Sequence, residues 1–454
     1  MTATLTGTPP AGRAARRAPA APGRGRRGIA RRRGLSTPDT LRTLLASLVL
    51  LSLAWGAFGG WVATVHSSAA QSLVSVDEPL SLDARQMYQA IADADATITA
   101  AYLARSQPPR ATLQRYQGDI ATAATDLSRL RSGGGSPTVS SALAALSGGL
   151  PVYTGYVANA QAEYAMGFPL TGGSFLQVAS EEAHLVLLPA ANTVFTQENA
   201  ALSAASGDAT GWLTLIAALL LAIVTGIVLF RAQRWLTRRT NRMLSPGLAI
   251  ASALLIISVV WLAAGFLTAR SDFSRGFGQG SEPAENLALA SIGVQQIRGD
   301  AVLNFISRSG NASFADDFAA TSKKVGPGAD SWLGAAAAAQ QPGSQGADLV
   351  AQAEQEATAW YAANGRVYTL GSKSQYAAER TAIVAAGTGG TATGYDTLEG
   401  RIEAAINADQ GVFQAAASAG ASALSPLAGV VIAGSLLMAL CCAWAISRRL
   451  AEYR

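Results

Sequence analysis

The stretch that decides the fold lies in the middle of the chain. It runs WLTLIAALLLAIVTGIVLF from Trp212 to Phe230, then RAQRWLTRRTNR over 231–242, then LAIASALLIISVVWLAAGFLT from Leu248 to Thr268. Each apolar run is long enough to cross a hydrocarbon core of ~30 Å, and neither holds an ionisable side chain. The connection between them carries five Arg and no acid. Two such runs around a short basic loop read as a membrane hairpin whose loop stays in the cytoplasm.

Two more runs of the same kind lie on either side, Leu44 to Val65 and Leu427 to Ile446. Half of the chain is hydrophobic and only 14% is charged, well below the quarter usual in soluble domains. The first run is longer than a signal-peptide core and continues as helix past His66, so it reads as a retained anchor. The formal charge of +5 hides a division. Residues 1–43 hold ten Arg and one acid, and the tail from Ser447 holds three Arg and one Glu. The long segments reverse the sign, with 6 basic and 12 acidic residues in 66–211, and 10 and 15 in 269–426. Short basic loops stay inside while long ones translocate. Both termini and the middle loop are therefore expected in the cytoplasm, as in a multi-pass protein of the cell membrane.

The expected fold is an all-α membrane protein with four transmembrane helices and two extracytoplasmic four-helix-bundle domains, arranged as a tandem duplication. Residues 1–36 form a disordered basic tail, attracted to anionic lipid headgroups. The transmembrane helices cover 41–65, 211–230, 247–268 and 427–446. The bundles cover 66–210 and 269–425, with a basic cytoplasmic loop at 231–245 and a short tail at 447–454. In the first bundle, Gln107-Pro108-Pro109, Ser132 to Gly135 and Gly167-Phe168-Pro169 separate four helices. Leu146, Leu150, Tyr153, Val157, Ala160 and Tyr164 step by three and four, as a buried helical seam does. Pro189 predicts a kink in the fourth helix. In the second bundle, breaks are expected at Ser281-Glu282-Pro283, Ser309-Gly310, Gly326-Pro327-Gly328 and the Gly-rich stretch 387–394, with one long helix over about 347–385.

No enzymatic signature appears. The chain has no phosphate-cradling Gly loop, no metal-ligand spacing and only two histidines, His66 and His184. No enzyme activity, cofactor, metal or nucleic-acid partner is expected. Spans without Asp, Glu, Lys, Arg or His argue against an ion-coupled pathway. Cys441 and Cys442, the only cysteines, lie at one end of the last span and staple nothing outside it. Gly56 and Gly60 allow close helix packing on the first span; packing within the molecule is favoured over a homodimer seam, which stays open. Polar residues on or beside the seams are the candidates for a sensing layer: Asp95, Glu182, Arg298, Glu399 and Asp409. At 100° per residue Asp95 borders the Ile91/Ile98 stripe, whereas Asp93 points to the opposite side. Arg298 and Glu399 are expected to pair. The alternative for each is a half-exposed surface charge or a structural ion pair.

The stretches Ala92 to Ala96 (ADADA), Pro151 to Val157 (PVYTGYV), Gly167 to Leu170 (GFPL) and Leu187 to Ala191 (LLPAA) resemble an actinobacterial membrane protein family of the GlnX type. The resemblance implies a relay: a lipoprotein that binds glutamate or aspartate contacts the outer domains, and the message passes to a soluble Ser/Thr kinase of the protein kinase G type inside. Two other functions fit the residues: a direct small-ligand sensor of chemoreceptor-like bundle type, and a structural or assembly protein of the envelope.

Overall fold

The computed structural model describes residues 37–104, 108–240, 246–307, 312–326, 328–384 and 390–451. The expected disordered tail, Gln107, residues 241–245 of the basic loop, the break at Ser309-Gly310, Pro327, residues 387–389 of the Gly-rich stretch and the last three residues lie outside them. The described chain is helical, as the periodicity predicts, and four of its helical segments are long and apolar enough to cross a membrane.

Those candidate spans lie in α1 (Thr37–Ser72), α7 (Trp212–Thr240), α8 (Pro246–Gly276) and α15 (Leu427–Ala451). They close on one another in the order α7, α1, α15, α8. Trp55 sits in the middle, fully buried, and its Nε1 donates to Ser258 Oγ on α8 at 3.1 Å. Leu50, Leu220, Ile227, Ile256, Leu437 and Leu440 point outward and are more than half exposed, as a lipid-facing belt requires. Gly56 and Gly60 are used inside the molecule. A Cβ on Gly56 would collide with the Ser435 side chain, and one on Gly60 would stand 2.7 Å from Ile432 Cγ1. α1 and α15 approach that closely because the glycines carry no side chain. The basic loop is shorter than expected, since α7 continues as helix to Thr240.

The remaining helices form a head. Its first part holds α2 (Glu78–Ala104), α3 (Arg110–Gly133), α4 (Pro137–Ala165), α5 (Pro169–Glu182) and α6 (Leu188–Ala209). The second holds α9 (Glu282–Ser307), α10 (Ala312–Val325), α11 (Trp332–Ala339), α12 (Gln345–Ser372), α13 (Tyr376–Val384) and α14 (Thr391–Leu424). Ser136, Ser331 and Ser344 cap α4, α11 and α12 by accepting a backbone N–H three residues on, which relieves an orphan donor at each helix start.

From α1 into α2 and from α8 into α9 the helix runs from span to head without interruption, whereas α6 and α7 are separated at Thr210-Gly211 and α14 and α15 at Ser425-Pro426. Between α1 and α2, α5 and α6, and α8 and α9 the chain makes a π turn, at Leu73–Asp77, Ala183–Leu187 and Phe277–Ser281. Each is followed by a proline two residues later, in Glu78-Pro79, Leu188-Pro189 and Glu282-Pro283. Proline lacks an N–H and crowds the carbonyl four residues back. Widening one turn lets Glu78, Leu188 and Glu282 donate to the carbonyl five residues back instead. The break expected at Ser281-Glu282-Pro283 is therefore not a break.

Three further readings need correction. The two long segments do not keep separate cores: one apolar cluster runs from Ala84 and Leu146 through Leu287 and Val294 to Tyr395 and Ile406, because α2 packs directly on α9. The long helix at 347–385 is two helices. α12 ends at Ser372 and turns at Ser374 (φ 56°), and α13 folds back. That return is possible because Gly371 leaves room for the Glu379 carboxylate, 2.7 Å from where a Cβ would be. Finally, α11 is an additional short helix after the Gly326 turn.

Candidate functional site

α2 is the central helix of the head, touching α3, α6 and α9. Every residue from Ile91 to Thr99 is buried. A helix enclosed on all sides has no solvent face, so Asp93 and Asp95 are both interior. The expectation that Asp93 points away from the core is overturned for that reason.

Asp93 is the centre of a network that joins the two parts. Arg115 on α3 grips it with Nε on Oδ2 at 2.9 Å and Nη2 on Oδ1 at 3.0 Å. From the other part, the fully buried Tyr395 of α14 donates its hydroxyl to Asp93 Oδ1 at 3.0 Å. The Arg298 guanidinium of α9 covers the Tyr395 ring, 4.0 Å from its centroid, a cation–π contact. Burial works against the Arg115 charge, but Asp93 overrides it and raises the Arg115 pKa. Asp119, also on α3, is pushed up to about 7 by burial and by the Asp93 charge.

Arg298 and Glu399 do not form the expected ion pair. The enclosed Glu399 carboxylate takes Ser291 Oγ at 2.6 Å and Gln295 Nε2 at 3.2 Å, while Arg298 spends its face on Tyr395. Burial raises Glu399 to about 7, Ser291 opposing and Asp93 and Glu403 adding to the shift. A carboxyl in that state keeps neutral hydrogen-bond partners more cheaply than a buried charge pair would.

Asp95 looks toward α5. Its Oδ2 accepts from Ser180 Oγ at 2.7 Å and lies 3.4 Å from His184 Nε2. Its Oδ1 has no hydrogen bond, and neither has the Tyr153 hydroxyl, whose pKa is driven up by burial first and by Asp95 next. Glu182 is not part of this group; its Oε1 lies against the bare backbone of Gly149. Asp409 sits apart, nearer the spans, buried and held by Gln340 Nε2 at 2.7 Å. Burial raises it to about 6. The π turn of α8–α9 abuts it, since a Cβ on Gly280 would come 2.7 Å from the Asp409 carbonyl.

The structure thus gathers Arg298 and Glu399 about Tyr395, puts Asp95 just across α2 from them, and leaves Glu182 and Asp409 elsewhere. Asp93, Arg115, Tyr395, Ser180 and Asn364 were missed. The signal for Asp93 was present: Ala90 to Ala101 is small or apolar all round, which marks a helix buried on every side.

Above the network lies a cavity of about 500 Å³, within the size range of small-molecule sites. Both parts of the head wall it: Thr97, Thr112 and Arg115 from one, Arg298, Asn364 and Asp396 from the other. Trp360 donates to the Thr391 carbonyl at 2.9 Å and so ties α12 to α14, the helices that bring Asn364 and Thr391 to the wall. No group of three or more His, Cys, Asp or Glu among the described residues could hold a metal ion.

Residues 69–207 match the model of the actinobacterial sensor domain. This stretch covers the end of α1 and the first part of the head up to the last turn of α6. No curated protein and no solved structure matches the chain. The match supports an actinobacterial sensor protein, and with the four apolar helices it is consistent with a multi-pass membrane protein.

Proposed function

We propose that the chain is a transmembrane sensor whose head lies outside the cytoplasm and reads an extracellular signal through the contact between its two parts. The observation that carries this is the Asp93–Arg115–Tyr395–Arg298 network, which spans that contact beneath a shared cavity. α2 and α9, which face each other there, are continuous through π turns with candidate spans. A shift of α2 against α9 then moves α1 against α8. Displacements of ~1–2 Å suffice in switching proteins, and any ligand or partner that prefers one arrangement shifts the population. The identical Glu-Pro placement after the π turns of α1–α2 and α8–α9 supports a tandem duplication, which makes the paired leverage symmetrical.

The output acts in trans, through a cytoplasmic Ser/Thr kinase, and a glutamate- or aspartate-binding lipoprotein is the outer partner that the family resemblance suggests. Exposed Met166, Phe168 and Leu170 at the α4–α5 turn favour contact with such a protein.

The test is a lock. Leu103 and Val302 belong to one small buried cluster at the α2–α9 contact. In a background with Cys441→Ala and Cys442→Ala, the pair Leu103→Cys and Val302→Cys is oxidised in cells and the phosphoproteome is compared with the reduced state. A changed set of phosphorylated cytoplasmic proteins is expected. An unchanged set, with crosslinking complete, rejects the sensor reading.

A further inference from the structure

Three features of the cavity between α2–α3 and α9–α14 point to one kind of ligand. The first is two guanidiniums on its wall. Arg298 makes no hydrogen bond to any described residue, so its donors are uncommitted while Tyr395 holds the plane of the group. Arg115 gives Nε and Nη2 to Asp93 and keeps Nη1 for a second acceptor. Guanidinium forks match planar carboxylates in geometry as well as charge.

The second is Asn364. It is 1% exposed, and its Nδ2 donates to the Trp360 carbonyl at 2.9 Å. Asn364 is part of the same cavity's wall, and its Oδ1 is buried just behind the surface with no hydrogen-bond partner. A buried acceptor without a donor is costly, and a ligand N–H or O–H would satisfy it. The third is the rest of the wall: Ala101, Ala301, Ile383 and Val384 are apolar and small to medium in size, and exposed Asp396 stands at the edge. The cavity therefore asks for an anion at one end, a hydrogen-bond donor near it, and a short carbon skeleton between.

We infer that the cavity binds a small carboxylate that also carries a hydroxyl or amino group, with the carboxylate on Arg298 and Arg115 and the donor on Asn364 Oδ1. This rests on the sensor reading above and names the signal it would take. The ligand bridges α3, α9 and α12, so its binding favours one spacing of the two parts of the head.

Succinate, malate and aspartate share a skeleton and differ only by hydrogen, hydroxyl or ammonium at one carbon. Isothermal titration of each into the full chain in lipid nanodiscs is the test, with inorganic phosphate as a fourth probe. Malate and aspartate are expected to bind at least about tenfold tighter than succinate, because a site built around a donor rejects the analogue that lacks it. Arg298→Gln, at a half-exposed position, should abolish binding of all three. Asn364→Leu should erase the preference over succinate without erasing binding, its fold being checked by thermal melting. If Asn364→Leu does not fold, the wild-type ranking and Arg298→Gln still decide. Absence of saturable binding overturns the inference, as does binding indifferent to Arg298→Gln, or phosphate bound as tightly as malate. None of those outcomes touches the lock experiment, which needs no ligand, so the two ideas fail separately.

Discussion

At the scale of single residues, the head stores its polar groups inside. Asp93 is sustained by a two-point ion pair and a tyrosine hydroxyl. Tyr395→Phe removes one hydrogen bond to a charged acceptor and should cost about 1.5–3 kcal/mol. Arg115→Met leaves Asp93 buried without its cation and should cost more, because the uncompensated charge remains. Chemical denaturation of the purified chain orders the two; equal losses would mean that Asp93 is solvated through some other route. Glu399 supplies a pH signature. Its folded pKa of about 7 stands above the ordinary glutamate value of 4.5, so the folded state holds more protons than the unfolded one between those values. Stability contributed by the neutral carboxyl is complete below about 4.5 and is lost as pH rises through 7. Thermal melting of Glu399→Gln should therefore depend less on pH than wild type between pH 5 and 8, with the variant relatively favoured at pH 8. Asp119, at about 7, keeps the same sign of dependence in the variant, at reduced size.

Among elements, the close approach of α1 and α15 rests on glycine. Gly56→Leu would place a side chain where Ser435 already stands, and overpacking of this sort costs about 1–3 kcal/mol. Gly148 in α4 is the contrast, since a Cβ there meets nothing within 4 Å. Gly148→Ala should be neutral or stabilising by up to about 1 kcal/mol. Melting temperatures of the two variants in detergent should move in opposite directions, and a Gly56→Leu protein as stable as wild type would remove the glycine contact from the account. The π turns belong to this scale as well. They let proline sit in a continuous helix, so the rod from span to head is kept rather than broken.

For the whole molecule, the consequence of the α2–α9 contact is that two segments far apart in the chain share one core and one cavity. Neither part of the head presents the Arg115–Asp93–Tyr395–Arg298 arrangement alone, because its members come from both. The sensor-domain match ends at residue 207, so it contains Asp93 and Arg115 but neither Tyr395 nor Arg298. A head reduced to the first segment would retain that match and lose the network. The locking disulfide probes this scale, since it acts on the contact without altering any cavity residue.

Apolar runs, turn residues and three-and-four spacing were enough to establish from the sequence an all-helical chain, four candidate spans and most helix limits. Each is a sum over neighbouring residues, so nothing distant can alter it. For that reason α3 and α4 begin and end at or beside the separators read from the sequence, at Pro109, Ser132 to Gly135 and Gly167. The tertiary structure alone decided which helix is central, why Asp93 is interior, and why Arg298 turns to Tyr395 instead of Glu399. Those outcomes depend on α9 and α14 arriving at α2 from hundreds of residues away, and a helical wheel drawn for one segment carries no trace of what packs against its other side.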